Sequence, residues 1–513
     1  MNILQELVFI ISRKKLSAVE LLTEDNSSLL SQLYNGVASN DFMNDNLAAK
    51  ALFKQDGQSQ NYQKLKSVLK GRLIDYLFLI DLSEPYYNDR QKAYYECYKK
   101  WAAVKILLGK NARTSAVSLC LNILKQAQRF EFTELILDIS RMLRLHYGTR
   151  KGNIKKYEQY NQLFKAYEKL WSVENEAEGL YTGLVLHYVN SKASKPEIGE
   201  MAKAYYEQLA PYLEKYDSYR LRFSTFFIQL AIYMNGNDYL GSIEVAREAI
   251  DYFEDKDYQA TAPLLIFLYQ QLVCFTQLKE YEKGKKVAER CLELVEENSF
   301  NWFKFQENYF LLAMHSGRYQ EAYRIFQQTM ENIRFSYLPE QIIELWKIFE
   351  AYVHYLITLG KIEACGEEDE HKFRMSRFLN DIPIYSKDKR GMNIAILTIQ
   401  ILFIIQQQKF ETAADRIDSV RKYAYRYLVN GQTYRSNCFI QMLARLPSAH
   451  YHKQAVIRKT QRLRAKLEEV PLEVANQAHD IEIIPYEQLW DLALDSLESK
   501  FRRGRLKKRS KVS

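Results

Sequence analysis

Chemistry needs side chains that move protons, hold metal ions or cradle phosphate, and this chain offers few of them at workable spacing. Its eight His are scattered. In "RMLRLH" an arginine, Arg141, stands five residues before His146, and Arg445 repeats the arrangement towards His450 and His452, with Pro447 inside the stretch. A cation set near an imidazole can steady a phosphoryl charge while the imidazole carries a proton. The "HYH" of His450 to His452 supplies two metal ligands where a site needs three or four, so it reads as a surface turn. The acidic "EEDE", Glu367 to Glu370, reads as a solvated loop. Six Cys, at 97, 120, 274, 291, 365 and 438, are never within four residues of each other. That excludes a CxxC redox centre or zinc knuckle, and predicts buried thiols in a reducing compartment. Glycine-rich phosphate loops, HExxH, GxSxG and EF-hand loops are absent. No metal and no cofactor is expected.

The Arg-x4-His spacing resembles the catalytic pair of the all-helical HEPN ribonucleases. That resemblance implies His146 as acid–base and Arg141 as phosphate stabiliser. The polar residue that usually follows the Arg in that family is Met142 here. With 30 Arg and 8 His in the chain, the spacing is also expected by chance. The expectation is a protein that is not an enzyme.

What must position any functional side chain is helical. Apolar residues make up 47% and charged residues 26%, the balance of a folded protein, while 18 Gly and 9 Pro are too few for a chain of tight turns. The most apolar run, "IAILTIQILFII" from Ile394 to Ile405, would cover about 18 Å as a helix, short of the roughly 30 Å core of a bilayer. It predicts a helix buried on all sides. In "MNILQELVFIISRKKLS" the cations follow the apolar patch and no small-residue cleavage site is evident, so no signal peptide is expected. A soluble, cytoplasmic protein is the resulting expectation.

One spacing recurs. In "GRYQEAYRIF" it is Gly317, Tyr319, Ala322 and Phe326, followed by Thr329. Other copies are Tyr239, Ser242, Ala246 and Ala249, then Tyr281, Gly284, Ala288 and Cys291. Weaker copies start at Phe410 and Phe130, and Gly360 marks a further turn. A small residue lets the second helix of a pair approach the first, a large one fills the gap a turn later, and Tyr319 is expected to cap the turn between them. The helix before it, "NWFKFQENYFLLAM", predicts one apolar stripe of Trp302, Phe305, Tyr309 and Leu312. These residues resemble the second half of a tetratricopeptide repeat. The three clear copies lie 42 and 38 residues apart, longer than that family's unit of about 34. The resemblance implies an all-α fold: a right-handed α-solenoid of antiparallel helix pairs over residues 85–445. Residues 1–84 would form a helical cap, 446–499 a further helical segment, and 500–513 a basic disordered tail.

Net charge is +9, of which eight come from Lys500, Arg502, Arg503, Arg505, Lys507, Lys508, Arg509 and Lys511, leaving about +1 for the rest. Such a tail attracts polyanions, whether a nucleic acid, an anionic membrane surface or an acidic protein, or it serves solubility or folds back on the acidic stretch 473–498. Two helical pieces around "FKQDGQSQ" could make a helix-turn-helix presenting Lys66, Lys70 and Arg72, although the break exceeds the usual three or four residues. In the cap, Leu65, Val68, Leu69, Leu73, Tyr76, Leu77 and Ile80 are expected on one apolar face. The expected function is a non-enzymatic scaffold that binds a protein or peptide partner in its groove. A nucleic-acid-associated regulator is the alternative.

Overall fold

The computed structural model describes residues 1–12, 28–79, 88–189, 195–363, 392–427, 434–472 and 482–509. Among these the chain is all-α: 21 α-helices, two short 3₁₀ turns and no strand. It divides into two compact units, Met1–Trp171 and Ser172–Ser513, so the division falls inside the segment 85–445.

The first unit begins with a bundle of α1 (Asn2–Ser12), α2 (Leu29–Ala38), α3 (Asp45–Phe53) and α4 (Gln60–Leu77). Its core joins Leu4, Val8, Leu33, Ala48, Tyr62, Leu69 and Leu73. Val68 instead faces solvent, and Ile80 lies outside the described residues. Asp45 gathers the Tyr62 hydroxyl at 2.7 Å, Lys66 at 2.7 Å and the Met1 amine at 3.1 Å. Burial would raise the carboxyl, but the hydrogen bonds from Lys66 and Tyr62 lower its pKa to about 2. There follow α5 (Asp89–Gly109), α6 (Arg113–Arg129), α7 (Thr133–Thr149) and α8 (Ile154–Val189), whose first half belongs to this unit.

In the second unit the helices are α9 (Lys195–Leu213), α10 (Tyr219–Asn235), α11 (Tyr239–Glu254), α12 (Thr261–Gln277), α13 (Tyr281–Leu294), α14 (Phe300–His315), α15 (Tyr319–Met330) and α16 (Glu340–Thr358). After them come α17 (Met392–Gln406), α18 (Phe410–Tyr427), α19 (Tyr434–Leu443), α20 (Lys453–Glu469) and α21 (Tyr486–Arg509). From α9 onward each helix packs on the next, and α12 also touches α14. The helices therefore pack in neighbouring pairs, as a helical repeat requires.

The same turn joins pair after pair. At Asn111, Glu131, Asn237, Lys279, Gly317, Gly360 and Gln408 the backbone enters the left-handed region, with φ between 55° and 68°. The next N–H then bonds the carbonyl five residues back, as in Arg318 to Ala313 at 2.8 Å and Glu280 to Phe275 at 3.0 Å. This is the helix stop in which one left-handed residue lets the last carbonyls find partners. Two residues after it, a new helix starts at Tyr239, Tyr281, Tyr319 and Phe410. Side-chain caps fix other starts: Asn88, Ser218 and Ser299 each accept a backbone N–H three residues on.

Packing explains the small residues. Ala246, Ala249, Ala288 and Ala322 are fully buried, and a Cβ at Gly284 would stand 2.6 Å from Leu312 Cδ2. Tyr239, Tyr281 and Phe326 are also buried. The helix α14 departs from the expected single stripe, since nearly every residue from Trp302 to His315 is buried. Helix α17 is likewise enclosed from Asn393 to Phe403. No helix among the described residues is long and apolar enough to cross a membrane.

Backbone strain at these turns yields the first prediction. Gly317 has open space where a Cβ would go, so Gly317→Ala should cost about 1 kcal/mol through its φ alone, and Gln408→Gly should gain a similar amount. Urea unfolding of the two variants measures both signs.

Candidate functional site

The last helix is held by the rest of its own unit. Along α21 the residues Tyr486, Leu489, Trp490, Ala493 and Leu497 are buried, a spacing of three and four that puts them on one side of a helix. Gln488 reaches the α14–α15 turn, where its Nε2 donates to the His315 carbonyl at 3.0 Å and its Oε1 accepts from the Tyr319 hydroxyl at 3.1 Å. Tyr319 thus bonds the last helix instead of closing its own turn. Burial, with Asp491 adding to it, pushes its pKa up to about 12, so the hydroxyl remains a donor. Helix α21 also packs on α17, α19 and α20.

Arg435 of α19 is the clasp. Its guanidinium is fully buried and pairs with both oxygens of Glu482, at 2.7 and 2.9 Å, and both of Glu487, at 2.8 Å each. It also donates to the carbonyls of Leu467 at 3.2 Å and Val470 at 2.7 Å, which end α20. Glu482 accepts in addition the Tyr486 backbone N–H at 2.9 Å, and Phe439 stacks on Tyr486 with ring centres 4.4 Å apart. Burial opposes the Arg435 charge, but the hydrogen bonds to Glu482 and Glu487 more than offset it and hold its pKa above the ordinary arginine value. Burial would likewise raise Glu487, and Arg435 outweighs it, so that carboxyl sits below the ordinary glutamate range. Further along, Asp491 meets Arg464 at 2.9 Å and Asp495 meets Lys453 at 3.4 Å. The acids at 482, 487, 491 and 495 are therefore engaged by α19 and α20.

The first unit carries an open cleft of about 460 Å³ between α5, α7 and α8. Tyr98, Trp101, Phe164 and Trp171 wall it, with Glu134, Asp138 and Arg141 at its polar side. Asp138 accepts from Trp101 Nε1 at 3.2 Å, Lys105 at 3.2 Å and Arg141 at 2.8 Å. Burial would raise Asp138, and the bonds from Arg141 and Lys105 bring it below the usual aspartate value. Arg141 is thus engaged by Asp138, while His146, five residues on, points roughly 140° away around α7. Its neighbours are the ring of Tyr147 and the charges of Lys151 and Arg113. Burial first, then those cations, lowers its pKa. The two are not brought together.

The remaining residues singled out in the sequence lie elsewhere. His450 and Tyr451 both take left-handed backbone, and Tyr451 stacks on Phe410 at 4.3 Å, so "HYH" is a turn. No group of metal ligands forms among the described residues. Cys97, Cys120, Cys274, Cys291 and Cys438 are buried free thiols, and Cys365 and the 366–372 loop lie outside the described residues. Helix α21 extends to Arg509, into the stretch expected to be disordered, but no side chain from Glu498 onward is described. Lys66 is paired with Asp45, whereas Lys70 and Arg72 are exposed, and six residues, 54–59, separate α3 from α4. The sequence reading missed Arg435 and Gln488. The three-and-four spacing of apolar residues from Tyr486 to Leu497 is the signal in the sequence for a buried helix there.

Comparison of the chain with protein-family models, curated proteins and solved structures yields no match.

Removing the clasp should be severe. Arg435→Ala leaves two carboxylates facing a buried void and should cost about 3–5 kcal/mol, read from urea unfolding. Through Glu487 acid should act in the same direction, while burial raises Glu482 above the ordinary glutamate range and so opposes it in part. A carboxyl held low in the folded state contributes stability above its unfolded pKa, about 4.3, and loses it as pH falls further. Emission from buried Trp490 should shift red below about pH 4.

Proposed function

We propose that the chain is a non-enzymatic protein–protein interaction scaffold of the cytoplasm, built as a tetratricopeptide-like α-solenoid, whose partner inserts a peptide segment into the aromatic cleft of the first unit. Seven turns of one geometry and the buried small residues at Ala246, Ala288 and Ala322 support the repeat reading. A hairpin with a small-residue face must stack to bury its core, and stacked hairpins leave inner surfaces that take extended or helical peptides.

The observation that carries the proposal is the contrast between the two units. The second unit's surface around His315, Tyr319 and α17 is already covered by α21. The first unit's cleft is open, and Trp171 stands 40% exposed at its edge. Aromatic walls beside a few fixed polar groups are what a peptide anchor requires, because large flat side chains release water without losing much entropy. Arg141 and Asp138 would read main-chain or side-chain polar atoms there. The rival helix-turn-helix reading is weakened by the engagement of Lys66 with Asp45.

Affinity capture from the source cell, with wild type and Trp171→Ala in parallel, tests this. A partner that rebinds the purified scaffold should lose roughly thirtyfold in affinity on Trp171→Ala, about 2 kcal/mol. Partners that all bind the variant as tightly as wild type would end the cleft proposal.

A further inference from the structure

From Lys453 to Leu467 the chain places six cations, Lys453, Arg458, Lys459, Arg462, Arg464 and Lys466, and no carboxylate. The α20 helix sorts them. Lys453 and Arg464 turn inward to Asp495 and Asp491 of α21. Arg458, Lys459, Arg462 and Lys466 are exposed, and at 3.6 residues per turn they fall within an arc of about 100° on the opposite side. Lys459 donates to the Ser448 carbonyl. Arg458, Arg462 and Lys466 form no ion pair among the described residues.

Several other exposed helix faces differ in this respect. Many surface cations pair with an acid three or four residues away, as in Lys100–Glu96, Arg141–Asp138, Lys283–Glu280, Arg324–Glu321 and Arg421–Asp418. On α20 the acids are Glu468, which pairs with Arg464, and Glu469, three residues after Lys466 at the helix end. A row of cations about 12 Å long on a rigid helix, with Glu469 as the one acid on that face and at its end, concentrates positive potential along a line.

We propose that this face of α20 binds the phosphodiester backbone of a nucleic acid. Arg458 and Arg462 would supply planar forks that match phosphate oxygens, and Lys459 and Lys466 point charges beside them. Backbone contacts of this type carry no base sequence, so the binding is not sequence-specific. A membrane surface is the poorer fit. A helix that lies on lipid must immerse an apolar face, and Val456, Thr460 and Leu467 of α20 are buried against its own protein.

Fluorescence anisotropy of the full chain with a labelled 20-base single-stranded RNA and a 20-base-pair DNA, between 50 and 200 mM salt, tests the assignment. Wild type should bind at least one probe, with log affinity falling linearly in log salt. Arg458→Glu, Arg462→Glu and Lys466→Glu together should weaken that binding at least tenfold and flatten the slope by roughly 2–3, since each phosphate contact contributes about 0.7–0.9. Circular dichroism should show unchanged helix content, because the three side chains are exposed; if it does not, Arg462→Gln alone should still weaken binding measurably. Failure of wild type to bind either probe at 50 mM salt would overturn the proposal. So would binding unaltered by these substitutions, or tight binding to phosphatidylserine vesicles that neither nucleic acid displaces.

Discussion

A guanidinium taken out of water must have every donor matched, and Arg435 finds its partners in three places: the two carboxylates flanking the start of α21, and the last carbonyls of α20. Because no single helix could satisfy it, the position of α21 is fixed relative to both α19 and α20. Once that helix is fixed, Gln488 falls between the His315 carbonyl and the Tyr319 hydroxyl, and its apolar side meets α17. The ion cluster is costly to bury, and its effect is specificity: a helix shifted by one turn would leave charges unpaired.

The clasp also sets the electrostatics of the C-terminal part. Four acids of α21 and the residues just before it are turned towards α19 and α20, which leaves Arg458, Lys459 and Arg462 of α20 without a carboxylate partner among the described residues. The sequence shows acids and bases alternating in blocks between residues 453 and 511, and near-cancellation would be a fair reading of composition alone. Helical geometry groups them instead, with Arg435 and Glu482 fully buried and Arg458, Lys459 and Arg462 on one outward face. Adaptor and nucleic-acid binding are then compatible, because the aromatic cleft and the basic face lie on different units.

Helix content was legible because apolar spacing and a shortage of Gly and Pro speak locally. The starts at Tyr239, Tyr281 and Tyr319 were legible for the same reason. The turns before them were only partly so: Gly317 and Gly360 advertise left-handed backbone, while Glu131, Lys279 and Gln408 adopt it without the expected residue type, at the expense of local strain. The single stripe read into α14 failed because that helix has neighbours on every side, a tertiary fact that periodicity does not contain. Of the candidate sites, Trp101 and Trp171 lie 70 residues apart, and Arg435 lies 47 from Glu482, so neither cluster forms a motif. Val68 followed helical spacing and still faces water, because the four-helix bundle covers less of α4 than the pattern allows.

The central claim is that residues 486–497 belong to the fold of the second unit. Native-state hydrogen exchange followed by mass spectrometry on a peptide spanning 486–497 tests it most directly. The account predicts protection as deep as that of peptides from α14 and α17, lost when the whole unit unfolds. Exchange complete within seconds, as for a fraying terminus, would contradict it.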